Sequence, residues 1–203
     1  MIVLKRPTKK PKIVAICGDG RFDRALVRHV AEKLNGYKKT KSIWIYDAPL
    51  VGNSPSALGP KVFEVVEYLM KHEFFAETKT LITVLDREHL DACINALKDV
   101  SMKRQLLWAK QHVHRVITLS MHGRSIIIGI CGSKTRIEED LARLAESVLG
   151  LKPNSLPSEK KELRYKLHNV YNTDFYEIIK KASIDQLIKY LSCITEPLLH
   201  ANN

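Results

Sequence analysis

The chain is predicted to be an α/β protein with a mainly parallel central sheet, flanked by helices and followed by a helical C-terminal extension. Three observations predict it. Ile13-Val14-Ala15-Ile16, with β-branched and small residues and no alternation of polarity, reads as a buried strand, Ser42 to Tyr46 as a second short strand, and the apolar Thr80 to Leu85 as a central strand of a parallel sheet. Between them, apolar residues recur at the helical period, at 26, 27, 30, 31 and 34 and again at 62, 65, 66 and 69. Strands alternating with helices in this way build parallel sheets, because each crossover needs a helix to return the chain.

Residues 13–17 open the domain as a strand, and Asp23 to Leu34 follow as a helix that Asn35-Gly36 stops. Ser42 to Tyr46 form the second strand. Asp47 to Pro60, with Pro49, Gly52, Pro55, Gly59 and Pro60, is too rich in breakers to be regular, and a loop of that length often covers a functional site. Val62 to His72 are helical, and Thr80 to Leu85 read as a central strand. His89 to Lys98 and Gln105 to His112 are helical, and strands Val116 to Leu119 and Ser125 to Ile130 flank a hairpin turn at His122-Gly123-Arg124. After Cys131-Gly132, Thr135 and Glu138 have the spacing of a capping box for a helix through Leu149. Lys152 to Lys160 read as a linker, and Glu162 to Tyr171 and Asp174 to Leu191 as two helices. The second is strongly amphipathic, so its apolar face must dock on the main domain, a second copy or a partner. The chain thus divides into a basic arm (1–12), an α/β domain (13–150), and a linker with a helical extension (151–203).

With 203 residues, 45% of them hydrophobic, the chain can bury one sizeable core. No apolar run reaches the length of about 18 residues that a spanning helix needs, and Met1 to Lys12 lack a signal-like apolar region. A soluble, cytoplasmic protein is expected. Cys17, Cys93, Cys131 and Cys193 follow no disulfide framework and are expected to stay reduced, as core thiols or metal ligands. A formal charge of +11 concentrates polyanions near the surface. Much of it sits in Lys5, Arg6, Lys9, Lys10 and Lys12, an arm suited to nucleic acid or an acidic partner, and in Lys38, Lys39 and Lys41. Neither cluster interleaves aromatics, so base stacking by them is not expected.

The chemistry is concentrated where the first strand ends, in Cys17-Gly18-Asp19-Gly20-Arg21. A thiol, a carboxylate and a guanidinium at alternate positions past a buried strand stand where α/β proteins place their sites. Cys17-x-Asp19-x-Arg21 resembles the first zinc motif of the β-class carbonic anhydrases, and the order of elements over residues 12 to 130 is similar to theirs. The resemblance implies their fold, a zinc ion, hydration of carbon dioxide to bicarbonate by water acidified on the metal, and a homodimer. Asp19 and Arg21 would be the paired catalytic carboxylate and guanidinium. The family's second motif, His-x-x-Cys, is replaced here by Asp86-Arg87-Glu88-His89-Leu90-Asp91-Ala92-Cys93. Two ligand sets are then open: Cys17 with His89 and Cys93, or Cys17 with Asp86 and His89.

Two other functions compete with the hydratase. Loss of the second motif fits a catalytically inactive domain of the same fold that serves as an interaction or nucleic-acid-binding module. Gly18-Asp19-Gly20 ahead of a helix also fits a nucleotide or anion-binding turn, with Arg21 holding the anion. It lacks the third glycine of a dinucleotide fingerprint, and the chain has neither a Walker lysine nor a nucleophile elbow. Cys17 at a strand end and His89 with Cys93 on a helix also fit ordinary core and surface positions.

Overall fold

The computed structural model describes residues 2–4, 10–16, 21–37, 42–46 and 61–201. Among the described residues six strands form one sheet: β1 (Ile2–Leu4), β2 (Ile13–Ile16), β3 (Ser42–Tyr46), β4 (Thr80–Asp86), β5 (Val116–Met121) and β6 (Arg124–Cys131). Their order is β1-β3-β2-β4-β6-β5. All neighbours are parallel except β5 and β6, which form the antiparallel hairpin expected around His122 and Gly123. Both turn residues have positive φ, 48° and 73°, as a tight two-residue hairpin requires. The mainly parallel α/β class is therefore as the sequence predicts.

Alternation along the strands sends side chains to two apolar layers. On one side Val14, Ile16, Leu81, Leu85, Ile126, Ile128 and Ile130 meet α2 (Lys61–Lys71), α3 (Leu90–Ala96) and α4 (Val100–Gln111). On the other, Ile13, Ala15, Ile82, Val84 and Ile127 meet α1 (Arg21–Lys33), α5 (Ile137–Leu149) and the C-terminal helices. These are α6 (Lys160–Asn169), α7 (Phe175–Lys181), α8 (Ile184–Tyr190) and α9 (Ser192–His200). The tail that needed a docking surface thus finds it on the main sheet: Phe175, Ile178, Leu187, Leu191, Ile194 and Leu198 belong to the same apolar layer as α1 and α5.

Several details differ from the sequence reading. Part of the basic arm is a strand, since Ile2 pairs with Ser42 and Leu4 with Trp44. The helix expected over 174–191 breaks at Ser183, whose hydroxyl accepts the Gln186 amide while the Gln186 side chain accepts the Ser183 amide. This reciprocal cap satisfies two otherwise orphan donors and starts a new helix. Helix α9, with Pro197 inside it, lies beyond the last helix that the sequence reading assigned. The Thr135/Glu138 capping box does not form: α5 starts one residue later, with Arg136 at the N-cap, and Thr135 bonds Glu139 instead. Nor do all cysteines stay reduced, because Cys131 and Cys193 are joined in a disulfide with Cα atoms 5.2 Å apart. They lie 62 residues apart in sequence, and only the docking of α9 on β6 brings them together.

That docking needs Gly129. It lies on the face of β6 between Ile127 and Cys131, where a Cβ would run into the backbone carbonyl of Cys193 and press on the Pro197 ring. Gly129→Ala is therefore expected to lower stability by about 3 kcal/mol, at the upper end of overpacking costs, as read by urea denaturation. A midpoint equal to that of the parent would show that α9 does not rest there.

Candidate functional site

Strand order changes direction beside β2: β3 lies on one side of it and β4 on the other. Open parallel sheets bind ligands at the carboxyl edge of such a switch point, where the flanking loops diverge and leave a crevice. β2 reaches that edge at Ile16, which pairs with Thr83 of β4. Cys17 and Asp19 lie outside the described residues, as does the side chain of Arg21, whose backbone opens α1. Most of the basic arm and the Asp47 to Pro60 loop also lie outside them.

The second motif is described in full. β4 ends at Asp86, a 3-10 turn follows over Arg87–His89, and α3 starts at Leu90. Ligand atoms of Asp86, Glu88 and His89 all lie within 4.8 Å of one another, so these three could hold a metal ion. Asp86 Oδ1 accepts the Ile137 amide at 2.9 Å, serving α5 as a cap borrowed from another element. Glu88 Oε1 accepts Arg136 Nε at 2.9 Å, and the Glu88 amide donates to the Thr135 carbonyl at 3.0 Å. His89 Nε2 lies 3.8 Å from Glu88 Oε1. Arg87 donates to the carbonyls of Gly132 and His114.

Cys93 sits one turn further along α3, fully buried in the apolar layer beneath it. Burial pushes its thiol up to about 12, which opposes the thiolate a metal needs. Of the two ligand sets, the structure gathers Asp86 with His89 and adds Glu88, which sequence reasoning had passed over. The signal was present in Asp86-x-Glu88, two carboxylates flanking the turn at a strand end.

Facing this cluster, the loop from Gly132 to Arg136 is held by two acids of α5. Asp140, 1% exposed, accepts both arms of the Arg115 guanidinium at 2.7 and 3.1 Å and the Gly132 amide at 2.7 Å. Glu139 accepts the amides of Ser133, Lys134 and Thr135 and the hydroxyls of Ser133 and Thr135. Burial pushes the Glu139 carboxyl up, but these hydrogen bonds outweigh it and hold the group at about 2. The amides that could bind an external anion are thus filled by the protein's own carboxylates. Cys131, Asp140 and Cys193 form a second, buried group with ligand atoms close together, but its two sulfurs are bonded to each other.

Because the Glu139 carboxyl falls below its ordinary value of about 4.3, its contribution is fully present above that pH and is lost as pH falls towards 2. Glu139→Gln is expected to destabilise the protein at pH 7 and to flatten the acid limb of its stability profile between about pH 4 and 2. An unchanged acid limb would mean that the carboxylate is not held by the loop. In the native protein Cys93 should resist alkylation by iodoacetamide at pH 8, as read by peptide mass mapping, and react only after unfolding. Compared with protein-family models, curated proteins and solved structures, the chain matches none of them.

Proposed function

We propose that the carboxyl edge beside β4 is a divalent-cation site serving an enzyme that acts on an anionic, phosphate-bearing substrate. The observation that carries this reading is the convergence of the Asp86, Glu88 and His89 ligand atoms within 4.8 Å at a strand end next to the switch point. Two carboxylates and an imidazole are a hard, oxygen-rich set, suited to Mg²⁺ or Mn²⁺ as well as to Zn²⁺. A bound cation supplies Lewis acidity to a substrate oxygen and acidifies water. Arg136 occupies Glu88 Oε1 in the structure, and a cation taking that oxygen would release the guanidinium to pair with an anion. The excess of 11 positive charges favours polyanions, nucleic acid among them, over neutral substrates.

The zinc hydratase reading is supported by one specific feature. Asp86 and His89 follow β4, and β4 pairs in parallel with β2, the strand that leads to Cys17. In that reading Cys17 completes the ligand set, Asp19 and Arg21 keep their expected roles, and bicarbonate is the anion. The two readings differ in the softness of the metal.

Calorimetric titration with Mn²⁺ and with Zn²⁺ tests both. Asp86→Asn is the informative variant, because Asn caps a helix as well as Asp does and removes only the charge. It and Glu88→Gln are expected to weaken cation binding by about tenfold or more. Mn²⁺ binding that survives Cys17→Ser, together with Mn²⁺-dependent cleavage of bis(p-nitrophenyl) phosphate, supports the first reading. One equivalent of zinc that is lost on Cys17→Ser, with carbon dioxide hydration, supports the second. A chain that binds neither metal sinks both.

A further inference from the structure

A cavity of about 480 Å³ lies where the start of α1 meets α6, α7 and the loop joining them. We infer that this cavity is a binding site for a small molecule with a flat apolar body and one anionic head, a carboxylate, sulfonate or phosphate. The site is independent of the cation site.

The body is argued from the walls. Phe22 and Phe175 meet edge to face with ring centres 5.3 Å apart, and Leu167, 1% exposed, backs the wall. The volume lies in the range of small-molecule pockets, which are mostly apolar with a few placed polar groups.

The head is argued from Arg164. Its guanidinium lies 4.6 Å from the Phe22 ring and 5.9 Å from the Phe175 ring, and no carboxylate of the described residues lies within ion-pair distance of it. The aromatic faces hold the cation in place while its donors stay available, an arrangement suited to bidentate capture of an anion. His168 lies one helical turn further on and lines the same cavity. The acids at the rim are otherwise engaged: Asp174 caps α7 by accepting the Glu177 amide at 2.9 Å, and Glu177 pairs with Lys180 at 3.4 Å. Lys160, also over Phe22, is paired with Glu138 at 3.2 Å.

An independent observation points to a ligand. Thr173 lines the cavity and is 92% buried, being 8% exposed, yet its Oγ1 has no hydrogen-bond partner among the described residues. Its amide is satisfied by the Leu167 carbonyl at 2.9 Å, whereas its hydroxyl is unmatched. Such a group costs stability unless something bonds it. The preceding Asn172 is held at φ 47°, left-handed backbone that this loop keeps beside the cavity.

The test is calorimetric binding of naphthalene-2-sulfonate, with naphthalene-2-methanol as the neutral counterpart, to the full chain. The parent is expected to bind the sulfonate about tenfold more tightly than the alcohol. Arg164→Met, which keeps an apolar stem, should abolish that preference and leave the alcohol unaffected. Thr173→Val should fold with an unchanged or higher Tm, because it removes an unmatched hydroxyl, and should weaken the sulfonate several-fold. If Arg164→Met fails to fold, Thr173→Val carries the test. No binding of either probe at millimolar concentration, equal binding of both, or sulfonate binding indifferent to the folded variants would overturn the inference and leave a cavity for water.

Discussion

The carboxyl edge of this protein is organised by one buried ion, the carboxylate of Asp140. Burying a charge costs several kcal/mol unless its lone pairs are matched. Here both oxygens are met by the Arg115 fork, and one also by the Gly132 amide. Arg115 immediately precedes β5 and Gly132 immediately follows β6, so the single carboxylate ties both open ends of the hairpin to the first turn of α5. With α5 fixed there, its N-terminus stands opposite the end of β4, and Asp86 supplies the cap that Arg136 does not. Cys193 Sγ, bonded to Cys131 and without a proton to donate, lies 3.8 Å from the same carboxylate, so the start of α9 packs beside it. Asp86, Glu88 and His89 cluster within their own 3-10 turn, and the loop facing them is held by this arrangement.

A second constraint joins the two halves of the chain. Glycine at position 129 lets the backbone of α9 approach the sheet, and the layer it completes contains residues from α1 and α5 as well as from α6 to α9. A continuous line of contacts then runs along the edge: Glu88 to Arg136, two residues on from Glu138 to Lys160, and from Lys160 to the Phe22 ring. The first turn of α5 thus stands between the candidate cation site and the aromatic cavity. The cavity combines Phe22 with residues from 164 onward, whereas the cation cluster comes from the single turn at 86–89.

This explains what could be read in advance. The strands and most helices were legible because buried parallel strands and amphipathic helices each impose a local pattern, as at Ile13 to Ile16 and at Leu26 to Leu34. The hairpin was legible because only certain residues accept positive φ at its turn. Long-range substitutions were not. Asp86 caps a helix 51 residues away, and that interaction displaced the local capping box that Thr135 and Glu138 suggested. The Cys131–Cys193 bond depends on α9, a helix beyond the last one the sequence reading assigned. For the candidate site, residue types at the end of β4 were visible, but which of them face one another was not. Cys93 and Glu88 exchanged places because α3 turns Cys93 into the apolar layer, whereas the 3-10 turn keeps Glu88 at the rim.

That exchange decides the chemistry under discussion. A thiolate at Cys93 would make the set soft and bring negative charge into an apolar layer, where burial already drives the thiol towards its neutral form. Glu88 in its place offers oxygen at the surface, where desolvating the ligand costs less and a cation can exchange with water. Its present partner, Arg136, is itself half exposed, so the ion pair contributes little stability and is readily exchanged for a metal. The neighbouring Arg87 is committed to two backbone carbonyls and cannot replace Arg136 on the carboxylate without undoing the loop. Among the described residues of this turn, charge is therefore adjustable at Glu88 and Arg136, and that is where an incoming cation and an incoming anion would each find a partner.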